Sequence, residues 1–348
     1  MSPAPPDAAP PPSRSQLVDA FGRRLHYLRL SITDLCNLRC QYCMPSQGIA
    51  KLEHWEVLSL EELARVARVA VGLGVDKIRL TGGEPLLRRG LDKLLADLDA
   101  IRPRPDLRLT TNGLLLAERL PLLLRYGLST VNVSLDSLRP ERYGQITGLG
   151  PTAGAGALAR VWQGVAAALA SKALTVKLNV VLLGGLNEDE IGDFARLTLD
   201  KPLAVRFIEY MPVGRHTPFL PQRFLPAEEV LKTLEGLGRL ETLPHRPSDG
   251  PAQRLRLAGA QGELGVISAL SSHFCARCNR LRLSAEGLLV PCLFSEAALD
   301  LRPLLRGGAS DPELAQALVQ AAQAKPQEHQ QGPASLQAAG CQMSRLGG

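Results

Sequence analysis

DKIRLTGGEPLLRRGLDKLLADLDAI, residues 76–101, is the stretch on which the fold turns. Its first seven residues read as a short strand, Gly83-Glu84-Pro85 ends that strand, and GLDKLLADLDAI reads as an amphipathic helix. The same unit recurs from about residue 25 to residue 212. The other strands are YLRLSI (27–32), DLRLTTNG (106–113), TVNVSLD (130–136), LTVKLNVVLL (174–183) and AVRFIEYM (204–211). Helix-like stretches lie between them. Ser59-Leu-Glu-Glu62 is a capping-box pattern that opens the helix running to Val71, and ERLPLLLRYG, ALARVWQGVAAALA and EDEIGDFARLTL follow further on. Six such repeats imply parallel strands joined by right-handed crossovers. Six is short of the eight strands of a closed barrel. The expected fold is therefore α/β, an incomplete (βα)6 TIM-type barrel, with its functional groups at the C-terminal strand ends.

Those ends carry the unusual residues: Cys36, Cys40 and Cys43, then Thr81–Pro85, Thr110–Gly113, Ser134–Asp136 and Glu209–Met211. Each cluster alone reads as an ordinary turn former after a strand. Five of them on one rim point to a site.

Beyond about residue 220 the pattern changes. AEEVLKTLEGLG reads as a helix, and RLRLAGAQGELGVISAL reads as two strands joined by a turn around Gly259–Gly262. An Ala- and Gln-rich helical stretch and a polar tail ending Gly347-Gly348 close the chain, while GLGPTAGAGA (148–157) reads as a small-residue loop. The expected division is a disordered Pro-rich tail over 1–16, the barrel over 17–220 and a C-terminal region over 221–348.

Bulk composition narrows the class. In 348 residues, 45% are hydrophobic, enough for a sizeable core. Forty Lys and Arg against 34 Asp and Glu leave +6, dispersed rather than gathered in a tract, which suits a pocket for a polyanion better than a nucleic-acid surface. An aromatic content of 4% weighs the same way against an RNA-binding protein. No apolar run is long enough to cross a bilayer, so the expected location is cytoplasmic. Seven cysteines in such a chain argue for metal or redox chemistry over disulfides.

Cys36-Asn-Leu-Arg-Cys40-Gln-Tyr-Cys43 stands just after the first strand. Three thiolates complete neither a tetrahedral zinc site nor a fully ligated four-iron cluster. A three-ligand cubane leaves one iron open, able to chelate the amino and carboxylate groups of an amino-acid-like cofactor. A zinc site borrowing a distant fourth ligand is the alternative. Cys275-Ala-Arg-Cys278, separated by thirteen residues from Cys292, is a second triplet. On spacing alone, zinc (with His273 or Cys341 as a fourth ligand) and iron–sulfur are evenly placed there.

The first triplet, with Tyr42 before its last cysteine and Gly82-Gly83-Glu84-Pro85 after the second strand, resembles the radical S-adenosylmethionine superfamily. That resemblance implies a [4Fe-4S] cluster on Cys36, Cys40 and Cys43, with S-adenosylmethionine against Tyr42, Gly83, Ser134 and Met211. Phe274-Cys-Ala-Arg-Cys-Asn-Arg-Leu-Arg-Leu283 is similar to the second cluster motif of the GTP 3′,8-cyclases of molybdenum-cofactor biosynthesis. Tyr27–Asp34, Lys77–Arg89, Thr110–Leu116, Asn132–Asp136, Val176–Val181, Arg206–Met211 and the Gly-Gly terminus share this likeness, and only the Pro-rich tail stands outside it. The resemblance implies a second [4Fe-4S] cluster on Cys275, Cys278 and Cys292, whose open iron takes the guanine. It implies GTP contacts from Arg29, Arg79, Thr110, Lys177, Arg206, Arg280, Leu281 and Arg282, and catalytic parts for Arg280, Arg282, Gly347 and Gly348. Arginine suits that task, since its planar fork matches phosphate oxygens.

The implied reaction is removal of hydrogen from C3′ of GTP by a 5′-deoxyadenosyl radical, addition of C3′ to C8, and one-electron reduction. The implied partners are GTP, a low-potential donor such as a flavodoxin or ferredoxin, and cyclic pyranopterin monophosphate synthase as recipient of the product; a homodimer fits as well. A rival is a radical enzyme that modifies a peptide, with auxiliary clusters on the C-terminal cysteines. Such an enzyme leaves the Arg280-Leu281-Arg282 run and the Gly-Gly end unexplained.

Overall fold

A computed structural model describes residues 16–214, 219–245, 249–295, 298–331 and 342–347. Alternation along each strand decides what faces where. Leu28 and Leu30 in β1 (Tyr27–Ser31), Ile78 and Leu80 in β2 (Lys77–Thr81), and Leu107 and Leu109 in β3 (Asp106–Thr111) are buried in the main apolar core. β4 (Thr130–Ser134), β5 (Thr175–Leu182) and β6 (Ala204–Glu209) do the same with Val131, Val133, Val176, Leu178, Val205 and Phe207. The helices that cover this layer are α1 (Leu60–Gly72), α2 (Leu91–Asp99), α3 (Leu116–Arg125), α4 (Pro140–Thr147), α5 (Gly150–Ala170) and α6 (Ile191–Asp200). The expected capping box forms: the Ser59 side chain accepts from the Glu62 amide at 3.1 Å while the Glu62 carboxylate accepts from the Ser59 amide at 2.7 Å.

The C-terminal third contributes α7 (Ala227–Glu235), β7 (Leu240–Thr242), β8 (Gln253–Leu257), β9 (Glu263–Ile267), β10 (Arg280–Leu283), β11 (Leu288–Val290) and β12 (Leu299–Asp300). It then adds α8 (Arg302–Arg306), α9 (Asp311–Gln323) and α10 (Met343–Leu346). The sheet order is β12-β11-β10-β1-β2-β3-β4-β5-β6-β9-β8-β7. β1 to β6 form the expected parallel run. The C-terminal third extends it, because β10 pairs parallel to β1 and β9 pairs parallel to β6. β8 and β9 form the expected hairpin.

Residues 148–157 depart from the expectation of a loop, since α5 begins at Gly150. The small residues there are a contact stripe. A side-chain carbon on Gly154 would lie 2.4 Å from the Pro140 carbonyl oxygen, so glycine is what lets α5 close onto α4.

Candidate active site

The first cysteine loop leaves the C-terminal end of β1 and is braced from two sides. On one, the amides of Gly83 and Glu84 donate to the carbonyls of Thr33 and Leu35 at 2.8 and 2.7 Å. A side chain at Gly83 would sit 2.3 Å from the Leu35 carbonyl oxygen, so only glycine allows this approach. Glu84 is fully buried; its carboxylate accepts from the amides of Leu86 and Asn112 and from the Thr111 hydroxyl. Burial outweighs those three bonds and pushes its carboxyl up to about 7. On the other side, the amides of Arg39 and Gln41 donate to the carbonyls of Thr147 and Ile146. The Tyr42 hydroxyl donates to Asp136 at 2.8 Å, and the other oxygen of Asp136 accepts from the Val181 amide. Gly83 and Glu84 thus grip the loop through their backbone, while the Glu84 carboxylate anchors them to the end of β3.

Burial, then the neighbouring Cys36 and Asp136, push the Cys43 thiol up to about 12, and burial raises Cys36 and Cys40 as well. These thiols become thiolates only against the positive charge of a metal. Among the described residues no three His, Cys, Asp or Glu side chains converge on one ion position.

Below the loop, the inward face of the strands is cationic. Cross-strand register places Arg282, Arg29, Arg79 and Arg108 side by side on β10, β1, β2 and β3. Each sits between two outward-facing apolar residues. A second row runs Thr110, Asn132, Lys177, and a third runs Ser134, Asn179, Arg206. Burial, then Arg282, Arg79 and Arg280, holds Arg29 down to about 9, although Tyr27 opposes the shift. Burial, then Arg206, Arg108 and Arg79, holds Lys177 down to about 7. Burial would raise Tyr27, yet Arg79 and Arg29 bring its phenol down to about 8. The oxygens of Asn132 and Asn179 and the Nε of Arg282 are buried without a hydrogen-bond partner. Like charges crowded beside unmet polar atoms describe a receptacle for a polyanion.

The expected residues Arg29, Arg79, Arg206, Met211, Arg280, Arg282 and Gly347 line one cavity with Cys275, Cys278 and Cys292. Lys177 lines an adjoining hollow that shares Arg108, Arg206 and Gly250 with it. Thr110 meets the group through Arg79, whose Nη1 lies 3.5 Å from its hydroxyl. Leu281 differs from the expectation: its side chain is in the apolar core, because alternation turns it outward between Arg280 and Arg282. Arg29, Arg79, Arg206 and Arg282 stand within their strands, not at the C-terminal ends, and Arg280 opens β10. Arg108, Asn132, Asn179 and Tyr27 are further lining residues that the sequence reading missed. Arg108 carried a signal, since Leu107-Arg108-Leu109 repeats the pattern of Leu28-Arg29-Leu30 and Ile78-Arg79-Leu80.

At the second triplet, burial would raise the Cys278 thiol, but Arg280, Lys325 and Arg282 bring it down to about 6, so it is a thiolate at neutral pH. Arg280 also lies 4.8 Å over the Phe274 ring. The tail reaches the cavity from above. The Thr81 hydroxyl donates to the Leu346 carbonyl at 3.3 Å, and the Gln342 amide nitrogen donates to the Cys43 carbonyl at 2.9 Å. Gly347 has φ +76°, and a side-chain carbon there would lie 2.4 Å from Thr81 Cβ. Gly348 and Cys341 lie outside the described residues, as does the Pro-rich stretch 1–15.

An open parallel barrel with a gripped thiol triplet at its mouth defines the radical S-adenosylmethionine class, and the model for the Radical SAM superfamily matches residues 30–198. The Molybdenum Cofactor Synthesis C model matches residues 203–331. The chain is 45% identical over 334 residues to the GTP 3′,8-cyclase of Geobacter sulfurreducens, covering 96% of this chain and 100% of the relative. It is 48% identical over 314 residues to that of Heliobacterium modesticaldum, covering 90% and 94%. Among solved structures, Streptococcus suis SuiB bound to S-adenosylmethionine aligns with a TM-score of 0.56 at 16% identity, over 83% of this chain and 67% of that one, which shows the shared fold. The chain belongs to the GTP 3′,8-cyclase family.

Proposed function

We propose that this chain converts GTP to (8S)-3′,8-cyclo-7,8-dihydroguanosine 5′-triphosphate, the first step of molybdenum-cofactor biosynthesis, using two [4Fe-4S] clusters and S-adenosylmethionine. The observation that carries this reading is the row of four arginines beside a cysteine triplet in one cavity. Cys36, Cys40 and Cys43 hold the first cluster; Tyr42, Gly83, Ser134 and Met211 hold the cofactor. Cys275, Cys278 and Cys292 hold the second cluster. When bound, the first cluster and the cofactor supply a carbon-centred radical able to take hydrogen from C3′ of the ribose.

The chain's own residues do the rest by placement. Arg29, Arg79, Arg206, Arg280 and Arg282, with Arg108 added, hold the triphosphate. Lys177 becomes charged as the phosphates enter, and Thr110 fixes the ribose. Leu281 contributes only backbone. Asn132 and Asn179 accept hydrogen bonds for which their described neighbours supply no donor. Gly347 brings bare backbone into the cavity that Arg280 and Arg282 line, and these three residues, with Gly348, take the catalytic parts. Holding C3′ within contact distance of C8 is what makes ring closure faster than escape. The product is an isomer of GTP, so the hydrogen lost from C3′ is made good by one electron and one proton.

A flavodoxin or ferredoxin serves as donor, cyclic pyranopterin monophosphate synthase receives the product, and the enzyme works in the cytoplasm, as a homodimer where it self-associates. No helix among the described residues is long and apolar enough to cross a membrane. Residues 17–220 act as the radical barrel, and 221–348 carry the second cluster and the Gly-Gly tail. Anaerobic reconstitution with iron and sulfide, followed by S-adenosylmethionine, a strong reductant and GTP, tests the reading. It predicts about eight irons per chain, as two four-iron clusters, and 5′-deoxyadenosine released only with GTP. Half that iron, or release indifferent to GTP, refutes it.

A further inference from the structure

Lys325 follows α9 and is 2% exposed, yet among the described residues no carboxylate pairs with it. Its Nζ donates to two backbone carbonyls, Arg280 at 3.1 Å and Pro291 at 2.5 Å. Arg280 is two residues beyond Cys278, and Pro291 immediately precedes Cys292. One ammonium therefore ties together the two chain segments that carry those cysteines. The next residues complete the clasp. Arg23 donates to the carbonyls of Cys275, Pro326 and Gln327, and its Nε is held by Asp19 at 2.5 Å.

A buried ammonium is costly to desolvate and persists where opposite charge faces it. The titratable groups around Lys325 are Cys278 and Cys292, which attract it, and Arg280 and Arg282, which repel it. Three cations thus converge on one set of thiols. A four-iron cluster with three thiolates is anionic, and more so when reduced, so it supplies the charge that the lysine lacks. Resting on the reading of the second triplet as a cluster site, we infer that Lys325 is a positioning residue for that cluster: it clamps the arms bearing Cys278 and Cys292 and favours the reduced form by its charge.

The test uses the full-length protein with Cys36, Cys40 and Cys43 replaced by Ala, so that only the second site carries iron. Lys325→Met removes charge and donors at similar length. Lys325→Gln keeps a donor without charge, and Lys325→Arg keeps both. Loss of iron to a chelator and the reduced fraction at a fixed potential, read by electron paramagnetic resonance, are the measurements. Lys325→Met should lose iron about ten-fold faster, in line with other outer-shell partners of metal ligands. Lys325→Met and Lys325→Gln should both show a lower reduced fraction than the parent, which Lys325→Arg restores. If Lys325→Met does not fold, the glutamine variant carries the comparison. Parent-like iron loss and reduced fraction in both neutral variants overturn the inference. A parent that takes up no iron overturns the cluster reading beneath it, which is a separate result.

Discussion

Replacing Arg29 with Met should stabilise the ligand-free protein and weaken GTP binding at the same time. Arg29 stands in the middle of the row, with Arg282 on one side and Arg79 on the other. Its guanidinium is held down to about 9, burial being the main cause and the flanking arginines the next. At 1.36 kcal/mol per pH unit, the charged form is disfavoured by on the order of 5 kcal/mol. Side chains on paired strands stand about 5 Å apart. Two unit charges at that distance repel by about 3 kcal/mol at an effective dielectric constant of 20. Methionine fills similar volume without charge, and exchanges of buried ions for apolar groups commonly gain about 1–4 kcal/mol. The ligand-free variant should therefore melt a few degrees higher than wild type. A charge-assisted bond to phosphate is worth about 1.5–3 kcal/mol, so the dissociation constant for GTP should rise roughly 10- to 100-fold. Thermal denaturation with and without GTP, together with calorimetric titration of reconstituted protein, reads both effects. A variant that melts lower when ligand-free, or that binds GTP as tightly as wild type, refutes the view of the row as strained for its ligand.

Lys177 sits near 7 in the folded chain, below its ordinary value, so between about pH 7 and pH 10 the unfolded chain holds more protons and stability rises with pH. GTP binding at pH 8 should accordingly take up about one proton, seen as a buffer-dependent binding enthalpy; no uptake, or equal uptake by Lys177→Met, contradicts this. Gly347→Ala meets Thr81 and an unfavourable φ, so turnover should fall about ten-fold or more while GTP affinity and iron content hold. Undiminished turnover would remove Gly347 from the reaction. Gly154→Ala should lower stability by about 1–3 kcal/mol in a denaturant titration, since its new carbon meets the Pro140 carbonyl; a neutral result would mean that α4 and α5 part easily.

The six central strands were legible because their outward residues are nearly all Leu, Ile or Val, and the Ser59 cap marked where α1 starts. The pairing of β10 with β1 was not legible. It joins residues about 250 positions apart, and Arg280-Leu-Arg-Leu283 is too short to announce a strand. The small-residue run before α5 misled for a physical reason, because glycine marks a turn and a tight helix contact alike. Within the site, motif likeness located the cysteines and most of the arginines. The period-2 rule would have added Arg108 and turned Leu281 outward, since both follow from which neighbours are apolar.

The parallel pairing of β10 to β1 bears on how the chain is made. During synthesis β1 emerges early, and its partner on that side emerges only after residue 280. Until then β1 offers a bare edge, and β6 offers another until β9 arrives. A translation product stopped between Glu209 and Glu263 would carry the first cysteine triplet on a sheet open at both sides, prone to stick to its own kind. The last arginine to join the row, Arg282, comes with the strand that covers the β1 edge. Closing the sheet and completing the anion receptacle are therefore one event, and an unfinished chain has neither.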